Sequence, residues 1–173
     1  MRFELIEELS QEPERVYEIL WRRFTDLPRH IPSLAAIEPI ESQEVREGHE
    51  RTLHRWVTDP KTIPAFARRF VYDYVKEWIG TANWYHGDRR VCFDFQNEVL
   101  GDLYNCTGEF LVVQSPSGGT QIVIQAVLDV YPEKLPGVPR WLGRRTAPLV
   151  EEAVVNLIRP SLAALPKAVG EYL

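Results

Sequence analysis

The stretch from residue 72 to residue 131 constrains this chain most: apolar and polar residues alternate there through four segments separated by turns. Alternation at period two means strands with one buried face. Segments 72–86 and 89–97 meet at Gly87-Asp88, and segments 102–114 and 121–131 meet at Ser115-Pro116-Ser117-Gly118-Gly119, both hairpin signals. Hairpin pairing decides which residues share a face. About the first turn, Trp84 falls opposite Val91, Ala82 opposite Phe93 and Gly80 opposite Phe95. Across residues 98–101, Phe95 falls opposite Tyr104, Phe93 opposite Cys106 and Val91 opposite Gly108. One bulge in the last hairpin sets Phe110 opposite Ala126 and Val112 opposite Ile124. One face is then aromatic and apolar, with Gly80, Ala82, Gly108 and Ala126 spaced among the rings, while Glu77, Asn83, Asp94, Gln96 and Glu109 lie on the other.

The flanks add three strands and the helices. Residues 2–9 alternate as a strand. Ser10 is positioned to cap a helix with Pro13 in its first turn, and Val16, Tyr17, Leu20, Trp21 and Phe24 follow at helical spacing. Pro28 and Pro32 end that helix and predict a turn or a second short helix over 26–34. Strands 36–46 and 50–58 join at Glu47-Gly48. Residues 60–70 predict a short helical insertion, and the proline-punctuated 132–141 a loop. Thr146 is positioned to cap a C-terminal helix carrying Val150, Val154, Leu157, Leu165, Val169 and Tyr172 on one face, with a kink or break expected at Pro160 and Pro166. Strands run together between segregated helices, so the fold class is α+β: a curved antiparallel sheet of six to seven strands against one long helix. A chain of 173 residues predicts a single domain spanning 1–173.

A hydrophobic share of 45% and a net charge of −5 predict a globular protein whose field repels phosphates, which argues against nucleic acid and against a polybasic membrane patch. No apolar run approaches the ~20 residues of a membrane span. The acidic, alternating N-terminus lacks the apolar core of a signal peptide, and two cysteines are too few for a disulfide scaffold, so a cytoplasmic setting is expected. The sequence assigns no oligomeric state.

Two interpretations of the aromatic face stay open: an ordinary core, or an apolar cavity for a small ligand. Here the sequence resembles a known family. Glu12-Pro13-Glu14-Arg15-Val16-Tyr17-Glu18-Ile19-Leu20 and Phe24-Thr25-Asp26-Leu27-Pro28-Arg29-His30-Ile31-Pro32 look like the start of the START-like, or polyketide cyclase/dehydrase and lipid-transport, superfamily, with the helix-grip fold of the birch-pollen allergen. The element order matches over nearly all of the chain. The resemblance implies an internal cavity between sheet and C-terminal helix that takes lipids, sterols, polyketides or similar molecules. It implies either a binding or carrier protein, or a polyketide cyclase, dehydratase or isomerase.

Candidate ligand-binding residues are His54, Trp56, Trp78, Trp84, Phe93, Phe95, Tyr104, Phe110, Val154 and Ile158. An enzyme would need a cavity acid or base, for which His54, Glu109 and Tyr104 are the candidates. The face of strand 50–58 is open, because Leu53, Arg55 and Val57 compete with His54 and Trp56 for the inside. His49 and His86 are expected in solvent and His30 in a turn; no histidine or cysteine spacing suggests a metal, and no motif calls for a cofactor. Cys92 and Cys106 have opposite parity, so no bridge is expected. Arg68, Arg69, Arg140, Arg144 and Arg145 form the only basic cluster. Segments 60–70 and 132–141, with Phe66 and Trp141, are expected to meet as lids over the cavity mouth, or else to pack outside it. An interaction module with an exposed apolar groove is the third possibility.

Overall fold

A computed structural model describes residues 1–63, 72, 76–96, 104–131 and 140–173, with much of the first half of the last helix given by its backbone alone. The elements run β1 (Arg2–Leu9), α1 (Pro13–Arg22), β2 (Leu34–Arg46), β3 (His49–Thr58), β4 (Glu77–Tyr85), β5 (Arg90–Gln96), β6 (Tyr104–Gln114), β7 (Thr120–Val130) and α2 (Arg140–Tyr172). Short 3-10 helices occupy Phe24–His30, Pro60–Thr62 and His86–Asp88. The strands form one curved antiparallel sheet in the order β1-β7-β6-β5-β4-β3-β2. This is the expected α+β arrangement, with seven strands. Residues 64–71 and 132–139 lie outside the described residues, and the expected lids fall largely on them.

The β4–β5 register is the expected one: Trp84 faces Val91, Ala82 faces Phe93 and Gly80 faces Phe95. The next two ladders each differ from expectation by two residues. Phe95 faces Cys106, Phe93 faces Gly108 and Val91 faces Phe110. On β7, Ile124 faces Phe110 and Ile122 faces Val112. The last hairpin needs no bulge, because Gly118 and Gly119 both take positive φ and close the loop between Gln114 and Thr120. A slip of two leaves parity intact, so the inward face survives: Trp78, Ala82, Trp84, Phe93, Phe95, Cys106 and Phe110 are all buried. Cys92 is half-buried on the opposite face, and both thiols are free.

The small inward residues do not open a void as their size suggests. A Cβ on Gly80 would meet Trp56 Nε1 at 2.6 Å and Phe95 Cε1 at 2.8 Å. A Cβ on Gly108 would meet the Gln125 carbonyl oxygen at 2.2 Å and Phe93 Cζ at 2.6 Å. These glycines are seats into which rings and backbone have already settled.

Both helix starts differ from the sequence expectation. Ser10 does not cap α1; Glu12 stands at the cap position, and Pro13 begins the helix with its φ already set. The C-terminal helix begins at Arg140, so Thr146 is not its cap and Pro148 lies inside it. It also continues through Pro160 and Pro166 without a break. Each proline removes one backbone hydrogen bond. Burial offsets that loss: Ile158, Leu162, Leu165, Ala168 and Val169 are buried at helical spacing on one face. The end of α2 is also pinned to the segment before β2. Ser161 Oγ lies 2.8 Å from Ser33 Oγ, and His30 Nδ1 lies 2.7 Å from Glu171 Oε2.

The exposed edge strand β2 is irregular. Its register with β3 shifts at Leu34/Ala36, Pro39/Glu41 and Glu44/Arg46, and its exposed length carries Glu38, Glu41 and Glu44.

Gly108 tests the ring-seat account. Gly108→Ala should cost about 3 kcal/mol, the upper end of overpacking penalties, because the clash is with backbone. Gly87→Ala, where nothing lies within 4 Å, should stay within about 0.5 kcal/mol of the parent. Urea midpoints of the two variants measure the difference.

Candidate functional site

The register settles the face of β3. Trp56 pairs with Trp78 and His54 with Gly80, so the even residues point inward with the β4 file. His54 is 7% exposed and Trp56 2% exposed. The inward side of β3 therefore runs Glu50, Thr52, His54, Trp56 and Thr58.

A narrow slot lies between this part of the sheet and the chain around α1. His54 and Trp56 of β3, Trp84 of β4, Phe93 and Phe95 of β5 and Phe110 of β6 wall it on the sheet side, with Gly80 and Ala82 as floor. Leu20 of α1 and Phe24 just beyond close it. Its free volume is about 20 Å³, room for one water. The rings interlock: Phe24 meets His54 edge-on at 5.1 Å and Trp56 at 5.5 Å, and Phe93 lies 5.1 Å from Phe110.

Six of the ten candidate residues thus line one slot: His54, Trp56, Trp84, Phe93, Phe95 and Phe110. Four do not. Trp78 is buried and stacked on Trp56 at 5.9 Å, with its Nε1 unpaired among the described residues. Tyr104 is buried beyond the slot, and desolvation pushes its phenol far above the ordinary range. Ile158 is buried on α2 away from the slot, and the Val154 side chain lies outside the described residues. Glu109 faces outward opposite Cys92. The side chains of the basic cluster lie outside the described residues too.

Several polar groups near the slot are paired among the described residues. Trp84 Nε1 donates to Thr52 Oγ1 at 2.8 Å. Glu50 accepts from Trp21 Nε1 at 2.7 Å and from Ser42 Oγ. His54 Nδ1, like Trp78 Nε1, has no partner among the described residues. Burial lowers its pKa, with the Glu50 charge opposing more weakly, so the ring is held neutral.

His86 corrects the expectation of a solvated turn. Its Nδ1 is hydrogen-bonded to Tyr17 OH at 3.0 Å, and its ring lies 4.5 Å from Trp21. Its Nε2 is 3.8 Å from Glu50. His49 likewise stacks on Tyr85 at 4.5 Å and bonds Asn83 at 3.2 Å. The Tyr17–His86–Glu50–Trp21 cluster was missed because it joins α1 to two strand ends far apart in sequence. The spacing of Tyr17 and Trp21, one helical turn apart on one face, was its only local sign.

His54 gives a pH signature. Unfolded, it takes up a proton near 6.5; folded, it does so only at lower pH. The unfolded state then binds more protons below 6.5, so this contribution to stability is complete above that value and is lost as pH falls beneath it. The His54 imidazole resonances should titrate below pH 6.5 in NMR, and His54→Phe should flatten part of the acid decline in Tm.

No protein-family model matches the sequence, and neither does any curated protein. Solved structures do match. A protein from Thermus thermophilus superposes with a TM-score of 0.66 at 17% identity, covering 99% of each chain. The Zhui aromatase/cyclase of a Streptomyces species gives 0.63 at 17% identity, over 99% of this chain and 92% of that one. Norcoclaurine synthase from Thalictrum flavum gives 0.63 at 15%, over 99% and 85%. At these identities the likeness is one of fold, and it agrees with the strand order and the helix laid against the sheet. By that architecture the chain has the helix-grip fold.

Proposed function

We propose that the chain binds a small hydrophobic ligand between the curved sheet and its helices, in the slot walled by Trp56, Trp84, Phe93, Phe95 and Phe110. The observation that carries this is the slot's lining: five aromatic rings from four adjacent strands converge on one point, closed by Leu20 and Phe24, with His54 as the one ionisable side chain among the described residues. Apolar pockets with a single placed polar group are the usual form of small-molecule sites. The slot is nearly filled, so the ligand enters by displacing a ring, and Phe24 is the ring not anchored to the sheet. The helix-grip neighbours support the proposal, since aromatase/cyclase and synthase activities are housed on the same fold. A cytoplasmic setting belongs to the proposal and is supported by the two free thiols; among the described residues no helix is long and apolar enough to cross a membrane.

The second reading is a cyclase, dehydratase or isomerase working in the same slot. One observation favours it: a neutral, buried imidazole stands where a general acid or base would be needed. Binding ranks first because, among the described residues, no second titratable group lines the slot with His54.

Native mass spectrometry of protein purified from its host should show a co-purifying hydrophobic molecule. Titration with an apolar aromatic dye should quench tryptophan fluorescence saturably. Ala82→Val, which fills the floor of the slot, should weaken binding at least tenfold with Tm changed by only a few degrees. Gly108 is unsuited to this purpose, because its side of the sheet has no room for any side chain. Absence of both a retained molecule and saturable quenching would remove the ligand-binding reading.

A further inference from the structure

We infer that His54 selects ligands bearing a hydroxyl group on a flat aromatic body, an inference that rests on the proposed use of the slot. Three polar side chains follow one another on the inward side of β3. Glu50 and Thr52 are each satisfied by an indole N–H, from Trp21 and Trp84. His54 comes next, 7% exposed, with Nδ1 unpaired among the described residues. Buried polar atoms in native proteins almost always have a partner, so this one points to a group supplied from outside.

Water is a poor candidate for that group. The slot's 20 Å³ holds one molecule, but a buried water needs two to four polar partners. Beyond His54, the described side chains that point into the slot are apolar or aromatic. A charged ligand group would be buried without a counterion at high cost. A neutral hydroxyl avoids both difficulties. It donates to Nδ1 in one imidazole tautomer and accepts from it in the other, whereas a carbonyl serves only one. The free space accommodates the hydroxyl itself. The body attached to it takes the place of Phe24, which now lies edge-on to His54 at 5.1 Å and to Trp84 at 5.7 Å. A position bounded by ring faces and edges favours a planar aromatic replacement.

The test compares 2-naphthol with naphthalene, following tryptophan indole signals by NMR in the parent protein and in His54→Phe. The parent should bind 2-naphthol about tenfold more tightly, the worth of one good hydrogen bond, and His54→Phe should lose that preference. Saturation with 2-naphthol should also move the His54 Nδ1 resonance of the parent protein. Equal binding of the two probes by the parent would overturn the role of His54 and leave the ligand-binding reading standing. A preference that persists in His54→Phe would do the same. If neither probe binds, both readings fall together. Should His54→Phe not fold, the parent decides alone: an Nδ1 resonance unmoved at saturation overturns the inference.

Discussion

The interior of this protein is organised by close approach between aromatic rings and backbone. Gly80 and Gly108 sit on the inward face of β4 and β6, on either side of β5, and each lets a ring lie where a side chain would have been. Phe95 and Trp56 settle over Gly80, and Phe93 over Gly108. The rings thereby reach one another, and the sheet side of the slot becomes a continuous aromatic wall. A bulkier residue at either glycine would push the rings apart and alter every contact that depends on them. The same packing explains why the interior is tight: bulk removed from two positions is returned by the rings that lean into them.

Polar groups in such an interior must be paired, and the order along β3 shows how this is done. Glu50 sits nearest the strand's start, within reach of Trp21, Ser42 and His86. Thr52 orients the Trp84 indole. Both bonds hold an aromatic ring in one place, so they fix geometry as well as satisfy charge and dipole. His54 is as buried as Thr52 without the same satisfaction. α1 contributes to both situations, through Tyr17 and Trp21 at the polar end and through Leu20 and the following Phe24 at the slot. A movement of this helix would therefore be felt by the polar cluster and by the slot together.

Much of the sheet was legible in the sequence because alternation at period two is robust to error. The expected ladders between β5 and β6 and between β6 and β7 were each displaced by two residues, and the inward face came out unchanged. An odd displacement would have reversed it. Alternation could not orient β3, where both parities carry large apolar residues; only pairing with β4 decided for His54 and Trp56. The environment of His86 was not legible at all, since a turn residue is expected in solvent and its burial comes from a helix sixty-nine positions away in sequence. The helix starts were misjudged for a related reason. Prolines read locally as breaks, but a helix with one well-buried face tolerates the loss of single backbone bonds. Whether the small residues leave space was open in the sequence, because neighbours decide whether space remains.

The irregular edge strand has a consequence for how the molecule behaves in company. An open sheet ends in unpaired N–H and C=O groups, and a long regular edge is a template on which another chain can add a strand. On β2 no run of straight, evenly spaced backbone groups is long enough to serve, since Pro39 lacks a donor and three register shifts interrupt the line. The projecting carboxylates of Glu38, Glu41 and Glu44 would meet their own kind on an identical copy brought alongside. This edge of the sheet therefore has a built-in stop against a strand added from an identical copy.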